Sequence, residues 1–311
     1  MKTTPSPPEP QPPRTVAACL EEAARAFAER GIDSPRLTAE ILLAFVRGCD
    51  RGDLYRDPRG SLSSGQAAAF RELVERRLGR EPTAYLTGRR GFWSLDLEVG
   101  PEVLIPRPET ERVVEAALEV LGGGPSTRPL RVLELGCGSG AIVIALAREA
   151  PQHRYFASDR SAAAVRTARR NALAHGCGGR IRFWVADWLS ALRPGAGTFD
   201  LIVSNPPYIP SGRIAALQPE IALFEPRAAL DGGPDGLEAY RAILAGGWPF
   251  LAPGGFMILE IGEDQREALE RLATESGRRA EVACLQDLAG RDRVLRIAKK
   301  ILPPDPIMEY K

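Results

Sequence analysis

The sequence predicts an α/β protein in two parts, a small helical domain followed by a larger domain whose mostly parallel sheet is covered by helices on both faces. Three observations carry this reading. Apolar residues recur at helical spacing through the first 80 residues; strand and helix signals alternate from about residue 131 onward; and the first strand of that alternation runs into a glycine-rich turn that opens a helix. With 311 residues, 44% of them hydrophobic, the chain is long enough to bury one large core and one smaller one.

Residues 1–14 contain Pro5, Pro7, Pro8, Pro10, Pro12 and Pro13 and read as a disordered or polyproline II tail, because they offer neither apolar surface nor a regular set of donors. Residues 15–83 read as a helical bundle, with apolar faces at Val16, Leu20, Ala23 and Phe27, at Leu37, Ile41 and Phe45, and at Phe70, Leu73, Val74 and Leu78. Gly31 is expected to close the first helix, and Ser34 to cap the second ahead of Pro35. Residues 84–104 read as a β-hairpin linker, with strands at Ala84-Tyr85-Leu86 and Phe92-Trp93-Ser94-Leu95 around the turn-prone Thr87 to Gly91. The α/β domain is expected over residues 105–300, with strands near 131–135, 155–159, 182–186, 201–205, 256–261, 281–285 and 294–297. Residues 301–311 form a C-terminal tail.

Composition narrows the function. Lys plus Arg number 41 and Asp plus Glu 40, so the chain lacks the basic footprint of a nucleic-acid binder, and direct binding of DNA or RNA is not expected. Five scattered cysteines without a Cys-x-x-Cys pair, and only two histidines, point to a reduced, cytoplasmic protein that needs no metal. No apolar run is long enough to span a bilayer, and the proline-rich start lacks the apolar segment of a signal peptide, so neither a membrane role nor that route of secretion is expected.

The chemistry begins in Val132-Leu133-Glu134-Leu135-Gly136-Cys137-Gly138-Ser139-Gly140-Ala141. A buried strand there enters a glycine turn whose backbone can come close to a nucleotide-like ligand at a helix N-terminus. The spacing Gly136-x-Gly138-x-x-Ala141 also meets the relaxed dinucleotide fingerprint, so on this loop alone a methyl donor and NAD are both open. Asp159, which ends the second strand, can accept from both ribose hydroxyls or serve as a turn residue beside the helix-capping Ser161. After the third strand, Asp187 can accept from an adenine amino group, and Trp188 can cover the adenine face or fill core. Glu134 is placed to orient the ligand's ammonium group or the loop itself. Gly136, Cys137, Gly138, Ser139, Gly140, Glu134, Asp159, Asp187 and Trp188, with Asn205, make the expected cofactor pocket.

The fourth strand runs from Phe199 straight into Asn205-Pro206-Pro207-Tyr208. In an open sheet wound both ways, ligands bind beyond the strand C-termini where the winding reverses, which sets Asn205 facing the glycine loop. An amide or aromatic amine nitrogen has a delocalised lone pair and is a poor nucleophile, so it must be held and polarised. The Asn205 side-chain oxygen can accept one N–H and the Pro206 carbonyl the other, with Pro207 stiffening the turn and Tyr208 offering a ring to the amide and to a sulfonium charge. The same tetrapeptide by itself also reads as an ordinary turn; the glycine loop and spaced acid upstream favour the catalytic reading.

Further segments carry a resemblance: Glu81-Pro82-Thr83-Ala84-Tyr85-Leu86-Thr87-Gly88, Phe92-Trp93-Ser94-Leu95, Leu104-Ile105-Pro106-Arg107-Pro108-Glu109-Thr110-Glu111, Asn205-Pro206-Pro207-Tyr208 and Phe224-Glu225-Pro226. From about residue 16 to residue 298 the chain resembles the peptide chain release factor glutamine N5-methyltransferases, the PrmC or HemK family. The resemblance implies an N-terminal helical bundle that docks substrate, a hairpin, and a Rossmann-like seven-stranded methyltransferase domain with an antiparallel last strand. It implies S-adenosyl-L-methionine as methyl donor, bound by Gly136 to Gly140 with Asp159 and Trp188. The implied substrate is the Gly-Gly-Gln glutamine of class 1 release factors, with its amide held by Asn205 to Tyr208.

Four rivals stay in view, one of them a non-enzymatic protein whose pocket binds S-adenosylmethionine but moves no methyl. A ribosomal-protein glutamine methyltransferase would share both motifs, although Pro106 to Thr110 resembles the release-factor branch. An adenine-N6 DNA methyltransferase would hold a planar amine in the same way, against the neutral charge balance. An NAD-dependent dehydrogenase would need a proton-transfer partner, and His153 and His175 fall at a strand edge and a helix end.

Overall fold

In a computed structural model, residues 15–123, 128–193, 195–275 and 278–301 are described. The tail expected at residues 1–14 and nearly all of that at 301–311 lie outside them. The chain divides into two compact units between Thr87 and Gly88.

The first unit holds α1 (Val16–Glu29), α2 (Pro35–Arg47), α3 (Arg51–Arg56), α4 (Ser64–Leu78) and α5 (Thr83–Thr87). Its core is built from Val16, Leu20 and Phe27 of α1, Ala39, Leu42 and Leu43 of α2, and Phe70 and Leu73 of α4. Two expectations need correction. The face of α2 that packs inward is not the one through Leu37, Ile41 and Phe45: Leu37 and Phe45 are exposed and Ile41 half-buried, because α2 is apolar on two sides and α1 and α4 take the side of Leu42 and Leu43. Ser34 makes no capping bond; its backbone is left-handed, and Pro35 starts the helix.

Residues 83–87 are helical rather than a strand. The N–H groups of Tyr85 and Leu86 return to the Pro82 carbonyl, and the Thr87 hydroxyl donates to the Thr83 carbonyl at 3.1 Å. The hairpin instead pairs β1 (Arg89–Phe92) with β2 (Leu95–Glu98) around a two-residue turn at Trp93-Ser94. Both turn residues have positive φ, an uncommon conformation without glycine. The Trp93 N–H donates to Glu111 at 2.9 Å and its indole N–H to Glu149 at 3.1 Å, which hold the turn in place. Phe92, Leu95 and Leu97 pack into the core of the second unit, so the hairpin is part of that unit rather than a free linker.

The second unit continues with α6 (Glu111–Gly122), β3 (Arg131–Leu135), α7 (Ala141–Glu149), β4 (Arg154–Asp159), α8 (Ala162–Ala174), β5 (Ile181–Val185), β6 (Phe199–Ser204), α9 (Pro219–Phe224), α10 (Glu238–Gly247), β7 (Leu251–Glu260), α11 (Arg266–Thr274), β8 (Ala280–Gln286) and β9 (Asp292–Lys299). The sheet order is β5-β4-β3-β6-β7-β9-β8, with β9 antiparallel to both its neighbours and the other pairs parallel. The α/β expectation and all seven strands are thus observed. Alternate residues of each central strand enter opposite cores: Val132, Leu201 and Ile258 face α6, α7 and α8, whereas Leu133, Ile202 and Met257 face α10 and α11.

The chain winds from β3 outward to β4 and β5, then returns to place β6 on the other side of β3. That reversal opens a crevice beyond the C-terminal ends of β3 and β6. One buried side chain joins three elements at its edge. Asn171 of α8 donates to the Glu98 carbonyl at 3.0 Å and the Ser139 carbonyl at 2.9 Å, and accepts from the Glu98 N–H at 2.7 Å. It thereby ties the hairpin to the glycine loop. Asn171→Ala should cost about 2–4 kcal/mol in denaturant unfolding, because it leaves the buried Ser139 carbonyl and two part-buried Glu98 backbone groups without a partner. Arg170→Ala next door, which removes half-exposed pairs with Glu98 and Glu102 and a bond to the Thr167 hydroxyl, should cost less, about 1 kcal/mol.

Candidate active site

Parallel pairing sets Glu134 of β3 opposite Val203 of β6, so the glycine loop and Asn205 leave the sheet side by side. The Ser204 hydroxyl donates to the Leu135 carbonyl at 2.7 Å and locks the two strand ends together. Above them lies a cavity of about 970 Å³, at the upper end of the ~300–1,000 Å³ usual for ligand clefts. Its walls include Glu134, Gly136, Cys137, Gly138, Ser139, Asp159, Asp187, Trp188 and Asn205. Nine of the expected cofactor residues therefore meet in one place. Gly140, Pro206 and Tyr208 are not in the walls, whereas Pro207 is.

Each of the three has a physical reason to be elsewhere. Gly140 is the N-cap of α7, with φ +83°, and a Cβ there would stand 2.9 Å from the Ile144 side chain and 3.2 Å from that of Ala168; it is glycine so that α7 and α8 can close behind the loop. The Pro206 ring is buried. Tyr208, expected to offer its ring to the ligand, packs instead against the core on the α10 and α11 side, and burial pushes its phenol up to about 12.

The two acids of the glycine loop divide its support. Glu134 is buried and accepts from the Val143 N–H in the first turn of α7 at 3.0 Å, so of its two expected roles the one toward the loop is observed. Burial holds its carboxyl well above the usual range. Asp159 accepts from Gly138 N–H at 2.9 Å through one oxygen and from Ser161 N–H at 2.8 Å through the other. Each oxygen keeps a second lone pair for a hydroxyl. Trp188 has a positive φ of 47° and lies half-buried, its ring 3.7 Å from where a Gly136 Cβ would be. It is at once cavity wall and core neighbour. Asp187 is exposed at the rim.

The opposite wall comes from segments that the sequence offered only as resemblance. The Glu225 carboxylate, buried, accepts from the Ile105 N–H at 3.2 Å and pairs with Arg107, which pins residues 104–107 against residues 225–227 at the mouth. The Asn205 amide donates through Nδ2 to the Thr110 hydroxyl at 3.0 Å. The Asn205–Tyr208 turn is clamped behind by Gln265, whose Nε2 donates to the Tyr208 carbonyl at 3.0 Å and the Gly236 carbonyl at 3.2 Å. Its Oε1 accepts from the Gly262 N–H at 3.0 Å. Gly236 has to be glycine: φ is +77°, and a Cβ would lie 2.4 Å from the Tyr208 carbonyl oxygen. Glu260 ends β7 and is buried, and burial raises its carboxyl to about 7.

Sequence reasoning missed Thr110, Glu225, Glu260 and Gln265 as site supports. A signal existed for one: Glu260 interrupts the otherwise apolar Phe256–Ile261. His153 and His175 do not line the cavity; His153 accepts from the Leu130 N–H, and His175 bonds the Asp96 carbonyl. Among the described residues no helix is long and apolar enough to cross a membrane, and no group of three or more His, Cys, Asp or Glu side chains is gathered as metal ligands would be.

Residues 18–88 match the PrmC N-terminal domain family and residues 119–221 the methyltransferase small domain family. The chain is 42% identical over 267 residues to the release factor glutamine methyltransferase of Caulobacter vibrioides, covering 86% of this chain and 90% of that one. To the release factor glutamine methyltransferase of Xylella fastidiosa strain 9a5c it is 46% identical over 259 residues, covering 83% and 91%. The hMettl16 catalytic domain, solved with a MAT2A 3′UTR hairpin, aligns at TM-score 0.54 and 15% identity over 68% of this chain and 77% of that one, a likeness of fold alone.

Glu260 makes stability depend on pH. In the unfolded chain its carboxyl ionises near 4.5, in the native state at about 7, so native stability falls as pH rises across that window. Glu260→Gln should remove this fall, raising unfolding free energy at pH 8 relative to pH 5 by up to ~3 kcal/mol compared with the parent protein, as measured by denaturant titration at both pH values.

Proposed function

The chain belongs to the release factor glutamine methyltransferases, and from that premise we propose that it transfers a methyl group from S-adenosylmethionine to the side-chain amide nitrogen of the Gly-Gly-Gln glutamine of class 1 release factors. The observation that carries the reading is the juxtaposition at the winding reversal. A glycine loop with helix N–H groups and a ribose-ready acid stands on β3, and an anchored Asn205 stands beside it on β6.

The cavity suits the donor. Asp159 keeps lone pairs for two ribose hydroxyls, Trp188 gives an aromatic wall for the adenine with Asp187 at its edge, and the N-terminus of α7 faces the amino-acid end. S-adenosylmethionine supplies a methyl group on a positively charged sulfur. The protein's part is positioning. With Nδ2 committed to Thr110, Asn205 turns its Oδ1 toward the cavity, where it accepts one N–H of the glutamine amide while the Pro206 carbonyl accepts the other. Both bonds raise electron density on the nitrogen and aim it in line with the methyl group. The nitrogen gains the methyl and releases one proton to solvent; no strong side-chain base is needed, because the amide becomes acidic only as the new bond forms. Arg107 and Glu225 shape the mouth through which the glutamine enters. We assign docking of the release factor to the helical bundle, residues 15–83, a reading supported by the match of residues 18–88 to the PrmC N-terminal domain family.

Incubation with purified release factor and S-adenosylmethionine, followed by peptide mass spectrometry, should place one methyl group on the Gly-Gly-Gln glutamine. Methylation of a ribosomal protein instead would overturn the substrate assignment. Asn205→Ala should lower kcat by about 10²–10⁴-fold with donor affinity changed only several-fold. Asp159→Ala should do the reverse, weakening donor binding first, as read by calorimetry; unchanged affinity would reduce Asp159 to a turn residue.

A further inference from the structure

We propose that Gln265 is a positioning residue for methyl transfer, holding the Asn205–Tyr208 turn at the spacing from the cavity wall at Gly233-Pro234 that lines the substrate amide up with the donor. The inference rests on the reading of that turn as the holder of the substrate amide. Asn205 and Pro206 each precede a proline, which limits both to extended backbone, and Pro206 and Pro207 have φ fixed by their rings. The turn is therefore stiff as far as Pro207, whose own ψ has no such limit. A stiff arm anchored at one end by β6 takes its tilt from whatever holds the other end.

Gln265 holds that other end. It heads α11, is buried, and lies outside the cavity wall. Its Nε2 donates to the Tyr208 carbonyl at 3.0 Å and to the Gly236 carbonyl at 3.2 Å, and its Oε1 accepts from the Gly262 N–H at 3.0 Å. Both amide hydrogens and an oxygen lone pair are thus in use, each on a different segment. Of these segments, residues 232–236 carry Gly233 and Pro234 into the wall that Pro207 also lines. Glycine permits the close approach: a Cβ at Gly232 would stand 2.8 Å from the Pro207 carbonyl oxygen, and one at Gly236 would stand 2.7 Å from Gln265 Nε2. One side chain thereby sets the spacing between the turn and the wall.

The same segments are joined without Gln265. Ile209 donates to the Leu230 carbonyl at 3.0 Å and accepts from the Gly232 N–H at 2.9 Å, the Ser211 N–H donates to the Gly233 carbonyl at 2.9 Å, and the Tyr208 ring is packed in the core. Those backbone bonds begin one residue beyond the turn, so loss of Gln265 leaves the segments paired while the turn loses the bond nearest its prolines. The titratable groups around Gln265 are Tyr240 of α10, whose hydroxyl stands 3.5 Å from Oε1 while donating to the Glu260 carbonyl at 2.8 Å, Tyr208 itself, and Asp264, which is paired with Arg213. Glu260 and Arg293 are charged neighbours of both tyrosines.

The test is kcat and KM for the full-length protein with purified release factor and S-adenosylmethionine, together with donor affinity by calorimetry, each variant held well below its unfolding temperature. Gln265→Met, of the same length and without donors, should lower kcat by on the order of 10–100-fold while donor affinity stays within about threefold. Leu269→Ala, one turn along α11 and buried in the core, should lower the denaturation midpoint at least as far yet leave kcat within about twofold. Gln265→Glu gives a readout that a merely structural role would not move. Its ionised carboxylate has no hydrogen for the Tyr208 and Gly236 carbonyls, whereas the protonated acid regains one. The ratio of its kcat to the parental kcat should therefore rise about tenfold from pH 8.5 to pH 6, the ratio cancelling the parent's own pH dependence. A ratio flat with pH, a loss of donor affinity that matches the loss of kcat, or an equal kcat loss in Leu269→Ala would overturn the proposal; should Gln265→Met not fold, the Gln265→Glu ratio decides alone. If Asn205→Ala is inactive while both Gln265 variants run at parental kcat, the positioning role fails and the Asn205 reading stands; if Asn205→Ala is fully active, that reading fails and takes the positioning role with it.

Discussion

The parallel pairing of β3 with β6, Glu134 against Val203, sets the separation of the two halves of the cavity. Because the strands leave the sheet at the same level, the glycine loop and Asn205 stand side by side on one cavity without any loop having to reach. The Ser204 hydroxyl on the Leu135 carbonyl ties the two ends at the point of departure. A one-residue slip of this register would turn Glu134 out of the cavity and Val203 out of its core.

Around that pairing the protein uses three acids, two of them buried, to hold backbone. Glu134 satisfies a donor in the first turn of α7, Asp159 holds Gly138 and Ser161, and Glu225 holds Ile105 while pairing with Arg107. Each carboxylate accepts bonds that loop backbone would otherwise leave unmade in a crevice that a ligand will dry. Glu260 differs, since one of its oxygens accepts nothing among the described residues. Buried without a partner, that oxygen costs stability.

The turn bearing Asn205 is rigid for reasons spread over distant sequence. Thr110 holds its front, and Gln265 and Gly236 hold its back. Prolines 206 and 207 limit the backbone from within, but they do not aim the Asn205 amide. Tyr208 contributes as an anchor in the core rather than as a wall of the cavity.

What the sequence determined by itself was whatever is local. Strand periods of two, a glycine turn and a strand ending in Asn-Pro-Pro-Tyr each depend on neighbouring residues, so the seven strands and nine of the residues that meet in the cavity wall were legible before any fold was known. Reading failed where two local patterns had similar energy. The short Ala84-Tyr85-Leu86 run suits strand or helix and became α5 after Pro82; Trp93, a good strand residue, joined Ser94 in a turn held by Glu111 and Glu149; and α2, apolar on two sides, turned Leu42 rather than Phe45 inward. Only the tertiary structure could join Thr110, Asn205, Glu225, Glu260 and Gln265, because they lie on five separate segments. Thr110, Glu225 and Gln265 act through hydrogen bonds to partners distant in sequence, which no local pattern encodes.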